Sequence, residues 1–382
     1  MRTVYLDYNA TTPLDPRVRE AMLPFWTEIW GNPSSIHHLG RGARALLDDF
    51  RDQLATSLRC KPSEIIFTSG ATEANNLAIL GLARANRSRG RHLMVSAVEH
   101  PSVLRTATYL ADHEGFELSI VPVDRFGQVD PGEVVALLRP DTVLVSIMSA
   151  NNEVGSIQPV AQIGALCRAR GILFHTDAVQ WFGKLPCPGI ADFNADAVSM
   201  SAHKFHGPKG SGVLFLRSGS RLSPLLFGGG HENDRRAGTE NLASIAGLVS
   251  AFRHFVPHPV FDPDRLQPLK ARLARGLVEL PGVVLWSTIE LGLANTVTLS
   301  VDNCDSLTLL AGLDLAGVCA SSGSACSSGS LEPSHVLLAM GARPDQASSM
   351  IRFSLGRETT SSDLDVALEA LESVINRVHN LP

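Results

Sequence analysis

The sequence has no excess of charge of one sign. Its 382 residues carry 33 lysines and arginines against 38 aspartates and glutamates, a formal net charge of −5. No basic field is available to attract nucleic acid or another polyanion. It also lacks a long apolar run: nothing approaches the ~20 residues that span a bilayer, so no membrane partner is expected. The opening MRTVYLDYNATTPLDP has no basic start leading into an apolar stretch, and no signal peptide is expected. The six cysteines, Cys60, Cys167, Cys187, Cys304, Cys319 and Cys326, include no C-x-x-C pair and do not read as a disulfide framework. No Cys/His spacing fits a zinc site, so no resident metal is expected. Together these absences predict a cytoplasmic chain with reduced thiols. There is no internal repeat, and no low-complexity tract beyond a Ser/Gly stretch at 321–330.

What is present is enough length for two domains, because single cores stop growing at roughly 250–300 residues. The runs IIFTSG, HLMVSAVEH, LSIVPV, TVLVSIMSA, ILFHTDA, AVSMSAH and GVLFLR are β-branched and apolar, as in strands covered on both faces. Helical patterns such as TEANNLAILGLARA, VLRTATYLADHE and VAQIGALCRARG fall between several of them. The chain is therefore read as α/β, with a mostly parallel seven-stranded sheet and helices on both sides. AVSMSAH and GVLFLR follow each other without a helix, which predicts an antiparallel part. The proline-rich stretch Val256 to Pro268 marks a boundary. Beyond it, a helix, the strands NTVTLSV and SMIRFSLG, and a terminal helix with Ser362 or Asp363 as N-cap predict a smaller α+β domain.

The chemistry concentrates at predicted strand ends. In SMSAHKFHGPKGSGVLF, Ser199 to Phe215, Lys204 is flanked by Ser201, His203 and a Gly-rich turn. An isolated lysine is ordinarily a solvated charge, but these neighbours are what a Schiff-base lysine needs beside a phosphate. Asp177 closes the apolar strand in FHTDAVQ. Such an aspartate is ordinarily a cap. The other reading is a carboxylate that pairs with a protonated pyridine nitrogen, the charge that lets pyridoxal phosphate act as an electron sink; on that reading Gln180 can bond the ring hydroxyl oxygen. FTSGATEANN, Phe67 to Asn76, is a strand, a glycine turn and a helix start, where N–H groups and Thr72 attract phosphate. His100, in VEHPSV, follows another strand; it reads either as a satisfied structural histidine or as one that stacks on the ring and moves protons. All of these lie at carboxyl ends of strands in one sheet, where open α/β folds bind ligands.

With these residues in view, the chain resembles the cysteine desulfurases of the iron–sulfur assembly and nitrogen-fixation type, in the class-V aminotransferase group of pyridoxal-phosphate enzymes. The motifs YLDYNATTPLDP, TSGATEANN, EHPSV, NNEVGSIQP, HTDAVQ, SAHKFHGPKG, RAGTEN, SSGSACSSGSLEPSHVL and IRFSLGR carry the resemblance along almost the whole length. It implies the fold type I architecture, with 15–256 as the large cofactor-binding domain and 1–14 with 257–382 as the small domain. It implies that Lys204 bonds the cofactor, Asp177 pairs with the pyridine nitrogen, Gln180 and Asn152 contact the ring hydroxyl region, and His100 stacks. Thr72, the Ala71 backbone, Ser201 and His203 are implied to hold the phosphate, and Thr239 to reach it across a homodimer interface. Arg352 is implied to grip the substrate carboxylate, with Asn152 nearby, a task that suits a planar bidentate donor.

Cys326 lies in SSGSACSSGS, with nothing apolar to pack against, although free cysteines are usually buried. If the substrate is L-cysteine, a thiolate must attack its sulfur and carry it off as a persulfide. Serines and glycines suit an arm that visits both the cofactor and an acceptor, such as an iron–sulfur scaffold whose cluster Cys326 ligates transiently. A class-V transaminase, a selenocysteine lyase and an inactive sulfur-relay subunit are the competing readings; the first has no use for a mobile thiol, and the last has none for Lys204 and Asp177.

Overall fold

A computed structural model describes residues 2–323 and 332–379; the Cys326 assignment falls outside the described residues. Within them the strands are β1 (Val4–Tyr5), β2 (Ile65–Thr68), β3 (His92–Ser96), β4 (Glu117–Val121), β5 (Thr142–Ser146), β6 (Leu173–Asp177), β7 (Ala197–Ser201), β8 (Gly212–Leu216), β9 (Val283–Leu285), β10 (Thr296–Val301), β11 (Val318–Cys319) and β12 (Ile351–Ser354). The main sheet has seven strands in the order β2-β8-β7-β6-β5-β3-β4. Strands β3 to β7 pair in parallel, while β8 runs antiparallel to both β7 and β2. Between β7 and β8 lies only the helical turn Ala202–Lys204, too short for a parallel crossover, so the antiparallel pairing expected from the adjacent runs is found.

Successive residues of a strand face opposite sides, and here both sides are apolar. Ile66, Leu93, Leu144 and Leu214 pack with Ala74, Leu77 and Leu82 of the helix Ala71–Asn86. Their neighbours Phe67, Met94, Val145 and Phe215 pack on the other face with Leu47 and Leu54 of the helix His38–Leu58 and Phe252 of the helix Leu242–Phe255. Each such buried side chain contributes about 1.5–3 kcal/mol relative to exposure, which is why these strands read as continuous apolar runs.

One polar seam crosses this core. His175 in β6 is fully buried, hydrogen-bonded through Nδ1 to Ser146 Oγ of β5 at 2.7 Å and through Nε2 to Ser199 Oγ of β7 at 3.0 Å. Burial pushes its pKa down to about 3. The unfolded chain, with an ordinary histidine, therefore binds more protons than the native state between pH 6.5 and 3, so stability falls as pH falls through that window. Urea unfolding of the protein is expected to show a midpoint that drops from pH 7 to pH 5, and His175→Gln is expected to flatten the slope.

The remaining strands form a three-stranded antiparallel sheet, β12-β10-β9, and the parallel pair β1-β11. Leu273, Leu299, Phe353 and Leu371 share a separate cluster with Val4, Leu6 and Tyr8 from the N-terminus. The proline-rich stretch is only partly a connector. Asp262 accepts from Asp264 N at 3.0 Å and starts the helix Pro263–Val278, with Pro263 in its first turn and Pro268 inside it. A first-turn proline costs nothing because its missing N–H would be unpaired anyway. The terminal helix starts at Ser361, one residue earlier than its expected cap. Thr360 Oγ1 accepts from Asp363 N, and Asp363 Oδ2 accepts from Thr360 N, a reciprocal capping pair. Among the described residues no helix is long and apolar enough to cross a membrane.

Candidate active site

A cavity of about 340 Å³ opens at the carboxyl ends of β2, β3, β5, β6 and β7. The sequence-predicted residues Ala71, Thr72, His100, Asn152, Asp177, Gln180, Ser201, His203, Lys204 and Arg352 all line it. Thr239 does not; it is exposed on this chain.

Each wall is built by a local device. After β2, Gly70 adopts φ +155°, and a Cβ on Gly212 would come within 2.6 Å of Gly70 Cα. Only glycine allows that turn to press against β8. The turn leads into the helix Ala71–Asn86, whose N-cap Gly70 offers no side-chain oxygen to the first-turn N–H groups. Glu73 steadies the turn, accepting from Ser69 N at 2.8 Å and from Arg236 Nε at 2.7 Å. Asp177 ends β6 and is buried; Asn75 Nδ2 donates to its Oδ2 at 2.7 Å and Val179 N to its Oδ1 at 3.0 Å. Asn75 also donates to Ser102 Oγ at 2.9 Å, and that hydroxyl is 2.7 Å from His100 Nδ1. A hydrogen-bonded chain thus ties the carboxylate to the histidine.

Lys204, in the turn after β7, donates to the carbonyl oxygens of Asn9 at 2.8 Å and Ala10 at 2.9 Å. Burial lowers the pKa of His100, with Lys204 and His335 adding to the effect and Asp177 opposing it. Burial and then the Lys204 and Lys209 cations push His203 down to about 3. Both imidazoles are thereby kept neutral, able to accept as well as donate. Arg352, in β12 and 1% exposed, gives Nη1 to the carbonyls of Asn152 at 3.0 Å and Gly323 at 3.1 Å, and Nη2 to Asp7 Oδ1 at 2.7 Å. Its buried Nε has no hydrogen-bond partner among the described residues. A buried guanidinium N–H without an acceptor is costly.

The family model of class-V aminotransferases matches residues 4–366. The chain belongs to the class-V aminotransferase family. It is 44% identical over 381 residues to cysteine desulfurase IscS of Dictyoglomus turgidum, a match covering 100% of this chain and 96% of that protein. Among solved structures, a NifS-like protein superposes with a TM-score of 0.91 at 37% identity, covering 98% of this chain and 100% of that one. SspA in complex with cysteine superposes with a TM-score of 0.82 at 34% identity, covering 94% and 100% of the two chains. The resemblance and the seven-stranded class-V fold expected from the motifs are borne out.

The residues present fit the class-V cofactor, pyridoxal phosphate. The helix N-terminus without a side-chain cap, beside Ser201 and His203, suits a phosphate. The buried Asp177 carboxylate suits a protonated ring nitrogen, and the Lys204 amine opens on the same cavity.

Sequence reasoning did not single out Asn9, Asn75, Ser102 or Lys184. Asn9 is 1% exposed and bonds to both Lys204 and Gln180. Lys184 is 3% exposed and contacts Asn9 and Gln180. The one available signal for Lys184 was its place in the apolar run WFGKLP, where a solvated lysine has little reason to be.

Proposed function

We propose that the protein is a pyridoxal-phosphate-dependent cysteine desulfurase: it removes sulfur from L-cysteine, releases L-alanine and carries the sulfur as a persulfide on Cys326. The observation that carries this reading is one cavity presenting Lys204, Asp177, His100 and Arg352 together, in a chain whose full-length relatives bear that name.

Bound in this cavity, pyridoxal phosphate supplies an electron sink for the charge left when the substrate's α-proton departs. The chain does the rest. Thr72, the Ala71 N–H, Ser201 and His203 hold the phosphate, and Lys204 holds the group covalently through Nζ. Asp177, fixed by Asn75, keeps a proton on the ring nitrogen. Gln180 and Asn152 address the ring hydroxyl side. Arg352, which lines the cavity, orients the substrate carboxylate. Lys204 Nζ would take the α-proton, and His100 would move a proton at the substrate thiol. Cys326, as thiolate, then attacks the substrate sulfur. The C–S bond breaks, an S–S bond forms on Cys326, and the carbon skeleton gains the hydrogen that makes alanine. Thiol plus cysteine gives persulfide plus alanine, with no external oxidant or reductant.

The same proposal includes a homodimer in which the exposed Thr239 of each chain completes the phosphate site of the other, and an iron–sulfur scaffold or another thiol acceptor for the persulfide, in the cytoplasm. It includes the division into 15–256 against 1–14 with 257–382, supported by the separate apolar cluster that gathers Val4 and Leu6 with Leu299 and Phe353.

Purified holoprotein mixed with L-cysteine is expected to yield alanine and a persulfide on Cys326, measured by amino-acid analysis and intact-protein mass. A keto acid in place of alanine would point to transamination and sink the reading. Arg352→Lys is expected to raise KM for cysteine about 10- to 100-fold with a smaller change in kcat, since hydrogen bonds to charged groups are worth ~1.5–3 kcal/mol and an ammonium loses the fork. Steady-state kinetics with an unchanged cofactor spectrum checks this.

A further inference from the structure

Lys184 does not line the cavity, yet it touches two residues that do. It is 3% exposed, and the charges that act on it, Lys204 and Arg352, are both cations. Its Nζ donates to Asn9 Oδ1 and Gln180 Oε1 and lies 5.0 Å from the centroid of the Phe261 ring. A lysine buried beside amides rather than a carboxylate is costly, so its placement calls for a reason.

Asn9 is held on every side. Its N donates to Ser354 Oγ at 2.9 Å, and its Nδ2 donates to Asn152 O at 3.1 Å and Thr296 Oγ1 at 2.9 Å. Asn295 Nδ2 reaches its Oδ1 at 2.9 Å. Its carbonyl oxygen accepts from Gln180 Nε2 at 3.1 Å and from Lys204 Nζ at 2.8 Å. The orientation of the Gln180 amide follows. Its nitrogen must face the Asn9 carbonyl, and its oxygen must face the lysine donor. The amide has a second Nε2 hydrogen to offer, and Gln180 lines the cavity. Burial, then the Lys204 and Arg352 cations, hold the Lys184 pKa well below the ordinary lysine range. A neutral amine still has two N–H groups, one for each amide oxygen, so the geometry holds in either protonation state.

We propose that Lys184 is a positioning residue that acts through Gln180: by donating to Oε1 it fixes the amide and strengthens the Nε2–H presented to the ring oxygen of the bound cofactor. Hydrogen bonds in such a chain polarise one another. The inference rests on the reading of Gln180 given under the proposed function. Its consequence is that the anionic form of the ring oxygen is favoured, by a residue that touches neither cofactor nor substrate.

The test is a pH titration of the visible absorbance of the holoprotein, without cysteine, for wild type, Lys184→Met, Gln180→Ala and the double variant. Methionine keeps the volume beside Phe261 and removes the donor. The other titratable groups that line the cavity, Glu73, His100, Asp177, His203, Lys204, Lys209 and Arg352, are the same in all four. Lys184→Met is expected to weaken the anionic form about two- to threefold, a fraction of the direct hydrogen bond assigned to Gln180. Gln180→Ala is expected to do at least as much, and the double variant to match Gln180→Ala, because the effect of Lys184 passes through that amide. Full additivity of the two shifts, or no shift in Lys184→Met, overturns the proposal. If Lys184→Met does not retain cofactor, Lys184→Leu, which also lacks the donor, is titrated instead, and no shift there, or full additivity with Gln180→Ala, overturns it equally. A wild-type protein that binds no cofactor would instead sink the proposed function, so the two failures are separate.

Discussion

Lys204→Ala is expected to purify without the visible absorbance of lysine-bound pyridoxal phosphate and to release no alanine from cysteine. The lysine has two tasks in the proposed mechanism, and alanine removes both. General-base catalysis alone is worth about 10²–10⁴ in rate, and the covalent link that places the cofactor is lost as well, so turnover should fall at least ~10⁴-fold. The fold should survive. Lys204 is half-buried, and it donates to the carbonyl oxygens of Asn9 and Ala10, which line the same cavity and are open to water when the amine is gone. A urea midpoint close to wild type, together with the missing absorbance, would separate a chemical defect from a folding one. Alanine release at the wild-type rate from this variant would remove Lys204 from the mechanism.

The sequence was informative where chemistry coincides with local pattern. Asp177 and Ser201 close apolar strands and His100 follows one, and the parallel order of those strands brings their ends to one edge of the sheet. The antiparallel β8 was legible because two apolar runs met without a helix between them. Asn9 was not legible, because its role depends on partners far away in the chain: Asn152, Gln180, Lys204, Thr296 and Ser354. No periodicity reports such a convergence. Asn75 was hidden for a related reason. It sits in a helix that reads as an ordinary amphipathic segment, and only the packing of that helix on the sheet turns its amide toward Asp177. The start of the helix Pro263–Val278 was masked by its prolines, which signal a break in sequence but are tolerated in a first turn.

Cys326→Ser is expected to keep the cofactor absorbance and lose sulfur transfer, separating the two halves of the reaction. A serine hydroxyl has neither the acidity nor the affinity for sulfur of a thiolate. Loss of a catalytic nucleophile in a hydrolase costs on the order of 10⁶ in kcat, but an added thiol reductant can attack the substrate sulfur in place of Cys326, so the fall here should be at least ~10³-fold. The five cysteines that the structure describes are poor substitutes. Burial pushes Cys60, Cys167 and Cys187 up to about 12. Burial also raises Cys304 and Cys319, reinforced by nearby aspartates. All five are thiolate-poor near neutral pH, in keeping with the proposal that Cys326, outside the described residues, is the carrier. The discriminating measurement is exchange of the cysteine α-hydrogen with deuterated solvent. In the proposed mechanism Lys204 performs that step, so Cys326→Ser should exchange at close to the wild-type rate while forming almost no alanine, and Lys204→Ala should do neither. A Cys319→Ser control is expected to leave both rates unchanged. Alanine and sulfide formed by Cys326→Ser at the wild-type rate would show that sulfur leaves by another route and that the thiol in the Ser/Gly stretch is incidental.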